Sequence, residues 1–163
     1  MGATKRSRFK SALQWLKRRM EIEDQVCSLD QAKHLKELGV KQDSFWYWEI
    51  RVFLLKRPDF LKDLPIINLV DRDSEKKENW KHYRFEYYSA FTVAELGLLL
   101  PRYAESYRIA TDKFSCKFCE LEEDKKGNPI YGKPTIKVSG TEADARAEML
   151  IYLIENKLME PEL

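Results

Sequence analysis

The chain is poor in the residues from which active sites are most often built. It has two histidines, three cysteines and six glycines in 163 residues. Cys27, Cys116 and Cys119 are too few and odd in number for a disulfide framework, and they read as reduced thiols. The glycines stand singly, so no Gly-rich loop cradles a phosphate. No G-x-S-x-G nucleophile elbow occurs. No stretch approaches the roughly 18 apolar residues of a membrane-spanning helix. The first twenty residues lack an apolar core and a small-residue cleavage site, so no secretory signal is expected. Met1-Gly2 begins like a myristoylation motif, but Arg6 stands where that motif takes Ser or Thr. These absences lead to the expectation of a soluble, cytoplasmic protein with no membrane span and no cofactor.

What the chain does have is charge and aromatic surface. Charged residues make up 34%, above the usual level of roughly 25%, and aromatics 12%. The net charge of +2 hides an asymmetry. Lys5, Arg6, Arg8, Lys10, Lys17, Arg18 and Arg19 face no acid within residues 1–20, and the remainder carries an acidic excess. An arm of one sign on a body of the other can steer a partner or fold back. The expected division is a basic amphipathic arm over 1–24 and a single domain over 25–163.

Periodicity gives the elements. Phe9, Ala12, Leu13, Leu16 and Met20 share one helical face, which predicts a helix over 7–20. Ser28 with Gln31 three residues on has the form of a capping box, and Gly39 can end the helix over 29–38. The period then switches to two. Trp46, Trp48, Ile50 and Val52 point one way and Tyr47, Glu49 and Arg51 the other, a strand over 45–55. Ile66–Val70 after Pro65 is an expected edge strand, 71–79 an exposed loop and 80–88 a further strand. Thr92 with Glu95 predicts a second capping box, and Pro101 closes that helix. A hairpin over 113–121 and 130–138 turns at Gly127-Asn128. Thr141 caps a last helix with the stripe Ala143, Ala147, Leu150, Ile151, Ile154 and Leu158. This order does not alternate strand and helix. The expected fold class is α+β: one antiparallel sheet of about four to five strands, helices on one face, plus the basic N-terminal helix.

Three stretches, CSLDQAKHLKELGVKQ (27–42), AFTVAELGLLLP (90–101) and EADARAEMLIYLIENKL (142–158), taken together resemble a family of small uncharacterised proteins encoded by bacteriophages and prophages. They cover somewhat over a quarter of the chain. The resemblance implies a bacterial cytoplasm and a mobile-element gene. It carries no activity and no functional residues. The basic N-terminal helix and the 71–79 loop depart from the family pattern.

Several constellations bear on chemistry. Cys116 and Cys119 form a C-x-x-C pair, half of a zinc site that Cys27, His34 and His82 would have to complete. The pair lies in an alternating strand, where residues three apart face opposite sides. Cys116 therefore reads as a small core residue beside Phe114 and Phe118, and no metal is expected. His34 and His82 lie on polar faces without a flanking nucleophile. Glu120, Glu122, Glu123 and Asp124 read as a solvated hairpin tip. The seven positive residues of the arm, with Phe9 and Trp15 among them, could bind phosphates and stack on bases, dock on the acidic body, or lie on a lipid surface. Three functions follow, in order. The first is a non-enzymatic accessory protein that binds a host protein or complex, as an inhibitor of host defence or of a host enzyme. The second is a nucleic-acid binder acting through Lys5, Arg6, Arg8, Lys10, Lys17, Arg18 and Arg19. The third is a metal-dependent hydrolase assembled from scattered acids.

Overall fold

The computed structural model describes residues 22–53, 65–72, 83–110 and 113–161. The helix expected over 7–20, the seven basic residues between Lys5 and Arg19, most of the 71–79 loop, and His82 lie outside the described residues. Among the described residues are three helices, α1 (Leu29–Glu37), α2 (Val93–Leu99) and α3 (Glu142–Glu155). The strands are β1 (Trp46–Phe53), β2 (Ile66–Asp71), β3 (Tyr83–Ser89), β4 (Glu105–Ala110), β5 (Lys113–Phe118), β6 (Leu121–Glu123), β7 (Pro129–Tyr131) and β8 (Thr135–Ser139).

The α+β class holds, but the single sheet does not. The strands form three antiparallel sheets, ordered β2-β1-β3, β4-β5-β8 and β6-β7. The division falls between β3 and β4. There Ala90, Phe91, Leu96 and Leu100 are all buried, so the connecting chain is drawn into the core and cannot lay β4 beside β3. β4 itself was not expected from the sequence. The expected hairpin is also longer in plan: β5 pairs with β8, and the small β6-β7 hairpin extends from their ends. β2 is an edge strand, as expected.

α3 is the centre of the core. Ala143, Ala145, Ala147, Met149, Leu150, Ile151, Leu153 and Ile154 are all buried. A helix apolar around most of its circumference must be covered on several sides. α3 packs on β4, β5 and β8 and also touches α1 and α2. Cys116, Phe114 and Phe118 of β5 meet this core, while Trp48 and Tyr88 reach it from the first sheet. The Trp48 indole Nε1 donates to the Cys27 carbonyl at 2.9 Å, fixing that ring.

Caps set the helix entries. Thr92 and Glu95 form the expected capping box. The Glu95 carboxylate also accepts from the Ser44 hydroxyl and the Phe45 N–H, each at 3.0 Å, so it ties the start of α2 to the start of β1. Thr141 accepts from the Asp144 N–H, as expected. The capping box at Ser28 does not form. Asp144 of α3 instead accepts from the Ser28 N–H at 2.7 Å, and Gln31 turns toward α3. A carboxylate is the stronger acceptor for an N-terminal N–H. Gly39, at φ 86, ends α1 in the left-handed region.

Candidate functional site

The second sheet has two unlike faces. Cross-strand neighbours share a face, so register assigns them. Ser106, Cys116 and Lys137 lie in one row facing α3. Tyr107, Ser115 and Val138 lie in the next row and face away, as do Glu105, Lys117 and Ile136. Tyr107, Ile109, Ile136 and Val138 are 45%, 50%, 50% and 47% exposed. Ile109 sits where the β4–β5 register shifts, an extra residue that bends an edge strand. β-branched residues explain why this segment is a strand at all. Tyr107, Ile136 and Val138 make this outward face apolar beside Glu105 and Lys117, where a solvated sheet face is ordinarily polar throughout.

Ser115 stands at the middle of this face on the central strand. It is 1% exposed, its cross-strand neighbours are Tyr107 and Val138, and its hydroxyl has no hydrogen-bond partner. A buried hydroxyl without a partner costs roughly 1–3 kcal/mol, which folding alone does not call for. The β6-β7 hairpin adds exposed Leu121, Ile130 and Tyr131 beyond the end of the sheet. Strands about 4.8 Å apart and five to six residues long cover roughly 250 Å². That is the scale of an interface centre, below the roughly 800 Å² per partner of a complete one.

The residues singled out by sequence fare differently. Cys116 is buried, and burial pushes its thiol up to about 11; burial likewise pushes Cys27 up to about 12. Cys119 lies past the end of β5 and is partly exposed. Among the described residues no three His, Cys, Asp or Glu side chains are placed to hold a metal ion. His34 pairs with Glu155 at 3.1 Å. Asp124 turns the β6-β7 hairpin by accepting from the Lys126 and Asn128 N–H groups. The Asn128 amide and these two bonds hold its carboxyl below the usual range. Among the described residues no helix is long and apolar enough to cross a membrane.

Sequence reasoning missed two polar clusters. In the first sheet, Glu49 is only 7% exposed; it accepts from Arg51 Nε at 2.5 Å and from the Tyr87 hydroxyl at 3.1 Å. Burial first, then the Glu49 charge, raises the Tyr87 hydroxyl. The signal was present as Glu49 and Arg51 two apart on one strand face opposite Tyr87 and Phe85. In the second cluster, Ser106 donates to Glu142 at 2.5 Å, and Arg146 clasps both and donates to the Val93 carbonyl at 3.2 Å. Burial pushes the Glu142 carboxyl up, but the Ser106 and Arg146 bonds outweigh it and hold it below its ordinary range. Glu142 and Arg146, four apart at the start of α3, carried a helical-pair signal. Both clusters join one element to another and leave no nucleophile free.

No protein-family model, curated protein or solved structure matches the chain. The resemblance to phage proteins rests on its three stretches alone.

Proposed function

We propose that this protein works by binding another protein across the outward face of the β4-β5-β8 sheet. In the mobile-element setting that the resemblance implies, the partner is a host protein. The observation that carries the reading is the row Tyr107–Ser115–Val138: two apolar residues held open to water around a buried, unpartnered hydroxyl. Tyrosine is a favoured interface anchor, because it brings large area and one polar tip at low entropic cost. A partner group donating to or accepting from Ser115 would relieve the orphan hydroxyl.

Site-specific photo-crosslinking in bacterial cells tests this. A photoreactive residue at position 107 or 136 is expected to give the same discrete protein adduct. Position 98 is the control, since Leu98 is 87% exposed but lies on α2. No adduct from 107 and 136, or an equal pattern from 98, would refute the reading.

The charge of residues 1–20 favours a second reading, nucleic-acid binding through Lys5, Arg6, Arg8, Lys10, Lys17, Arg18 and Arg19. It requires a gel shift at low salt that weakens in the double variant Arg18→Glu, Arg19→Glu. An absent shift at low salt removes it.

A further inference from the structure

A cleft of about 310 Å³ opens where α1, α3 and β8 meet. It lies on the α3 side of the second sheet, because Lys137 turns inward to place its Nζ 4.6 Å from the centre of the Tyr152 ring. It is thus separate from the outward sheet face and independent of the reading above. Asp30 and His34 of α1, Lys137 of β8, and Glu148, Tyr152 and Glu155 of α3 line it. Three carboxylates face one lysine, so the lining is net negative whether or not His34 is protonated.

The hydrogen bonding is unbalanced in the same direction. Gln31 also lines the cleft, and its Nε2 donates to the Asp144 carbonyl at 3.2 Å and to Glu148 Oε1 at 3.3 Å. Both neighbours are acceptors, which fixes the amide this way round. Gln31 Oε1 is then left as a buried acceptor with no donor. Glu155 is already paired with His34 and Lys137 is committed to the Tyr152 ring, but the Asp30 carboxylate has no partner among the described residues. Burial, helped by the Asp144 charge, pushes the Glu148 carboxyl up, against the Ser139 and Gln31 hydrogen bonds and the Lys137 charge that pull it down. The surplus is therefore of acceptors and negative charge, and a cation carrying several N–H donors would answer both. A bare divalent ion does not fit, since no three acidic or imidazole groups here converge on one point. An ammonium spreads three donors in different directions, and Ile151 offers its stem an apolar wall.

We propose that this cleft binds a primary alkylammonium group, with Glu148 and Asp30 as its charge partners and the Gln31 carbonyl accepting one of its N–H bonds. The test titrates cadaverine into the full-length protein near neutral pH and follows amide shifts by NMR, with 1,5-pentanediol as the uncharged control. Saturable binding by cadaverine and none by the diol is expected, with shifts centred on α1 and on residues 148–155. Removing one charge partner in Glu148→Gln should weaken binding by about tenfold, and Asp30→Asn by about fivefold. Asp30 is exposed, so its variant reports on the site even if Glu148→Gln fails to fold. No saturation by roughly 10 mM cadaverine, equal shifts with the diol, or unchanged affinity in Asp30→Asn would overturn the proposal.

Discussion

Replacing Gly97 by alanine should destabilise this protein, although alanine is the better helix former. Gly97 lies in α2 without a positive φ, so no backbone strain opposes the change. At such a position alanine ordinarily gains about 0.8–1 kcal/mol over glycine. Here its Cβ would lie 2.4 Å from Arg146 Nη1, the atom that donates to the Val93 carbonyl. The guanidinium must swing away, losing that bond and loosening its hold on Glu142 and Ser106. A hydrogen bond to a charged group is worth about 1.5–3 kcal/mol. The balance predicts that Gly97→Ala costs about 1 kcal/mol in the wild-type protein but gains about 0.8 kcal/mol when Arg146 is already alanine. The coupling between the two sites is then about 2 kcal/mol. Urea unfolding of the four proteins measures it, provided the slope with denaturant is unchanged. Stabilisation by Gly97→Ala of the same size in both backgrounds would refute the reasoning, because it would mean that Arg146 is not held where Gly97 admits it.

Two further outcomes follow from burial. Iodoacetamide at about pH 8 should label Cys119 in the folded protein and reach Cys27 and Cys116 only after denaturation, because a thiol far above its ordinary pKa presents little thiolate. Mass spectrometry of the labelled peptides decides, and Cys116 reacting as fast as Cys119 would count against the buried assignment. Stability should also depend on pH in opposite senses at two carboxylates of α3. Glu142 is held below its ordinary value, so its contribution is complete above the unfolded pKa and is lost as pH falls through the folded one. Glu148 is raised, so stability declines as pH climbs from the unfolded pKa through the folded one. Urea midpoints from about pH 3 to pH 7 should show Glu148→Gln abolishing the second decline and Glu142→Gln the first.

Local chemistry was legible in the sequence. The capping box of Thr92 and Glu95, the Thr141 cap, the left-handed Gly39 and the change to a period of two at β1 all depend on residues within a few positions of one another. Backbone hydrogen bonding and side-chain direction over such distances are set by covalent geometry, so pattern is enough to find them. The alternation of Cys116 with its neighbours likewise placed its thiol on the core side.

The remainder needed contacts across the chain. Gln31 lost its expected part in the box at Ser28 because Asp144, 116 residues from Ser28, accepts from the Ser28 N–H in its place. The sheet divided because the chain from Ala90 to Leu100 is absorbed into the core around α3, and nothing in the strand pattern records which strands will meet. Ile136 and Val138 look like core residues in a linear pattern. Only the register of β8 on β5, with Lys137 turned toward α3, sends them outward. Amino-acid pattern therefore determined most of the elements and the caps at Thr92 and Thr141. Tertiary packing decided which apolar residues are hidden, because burial depends on what stands opposite a side chain and not on what precedes it.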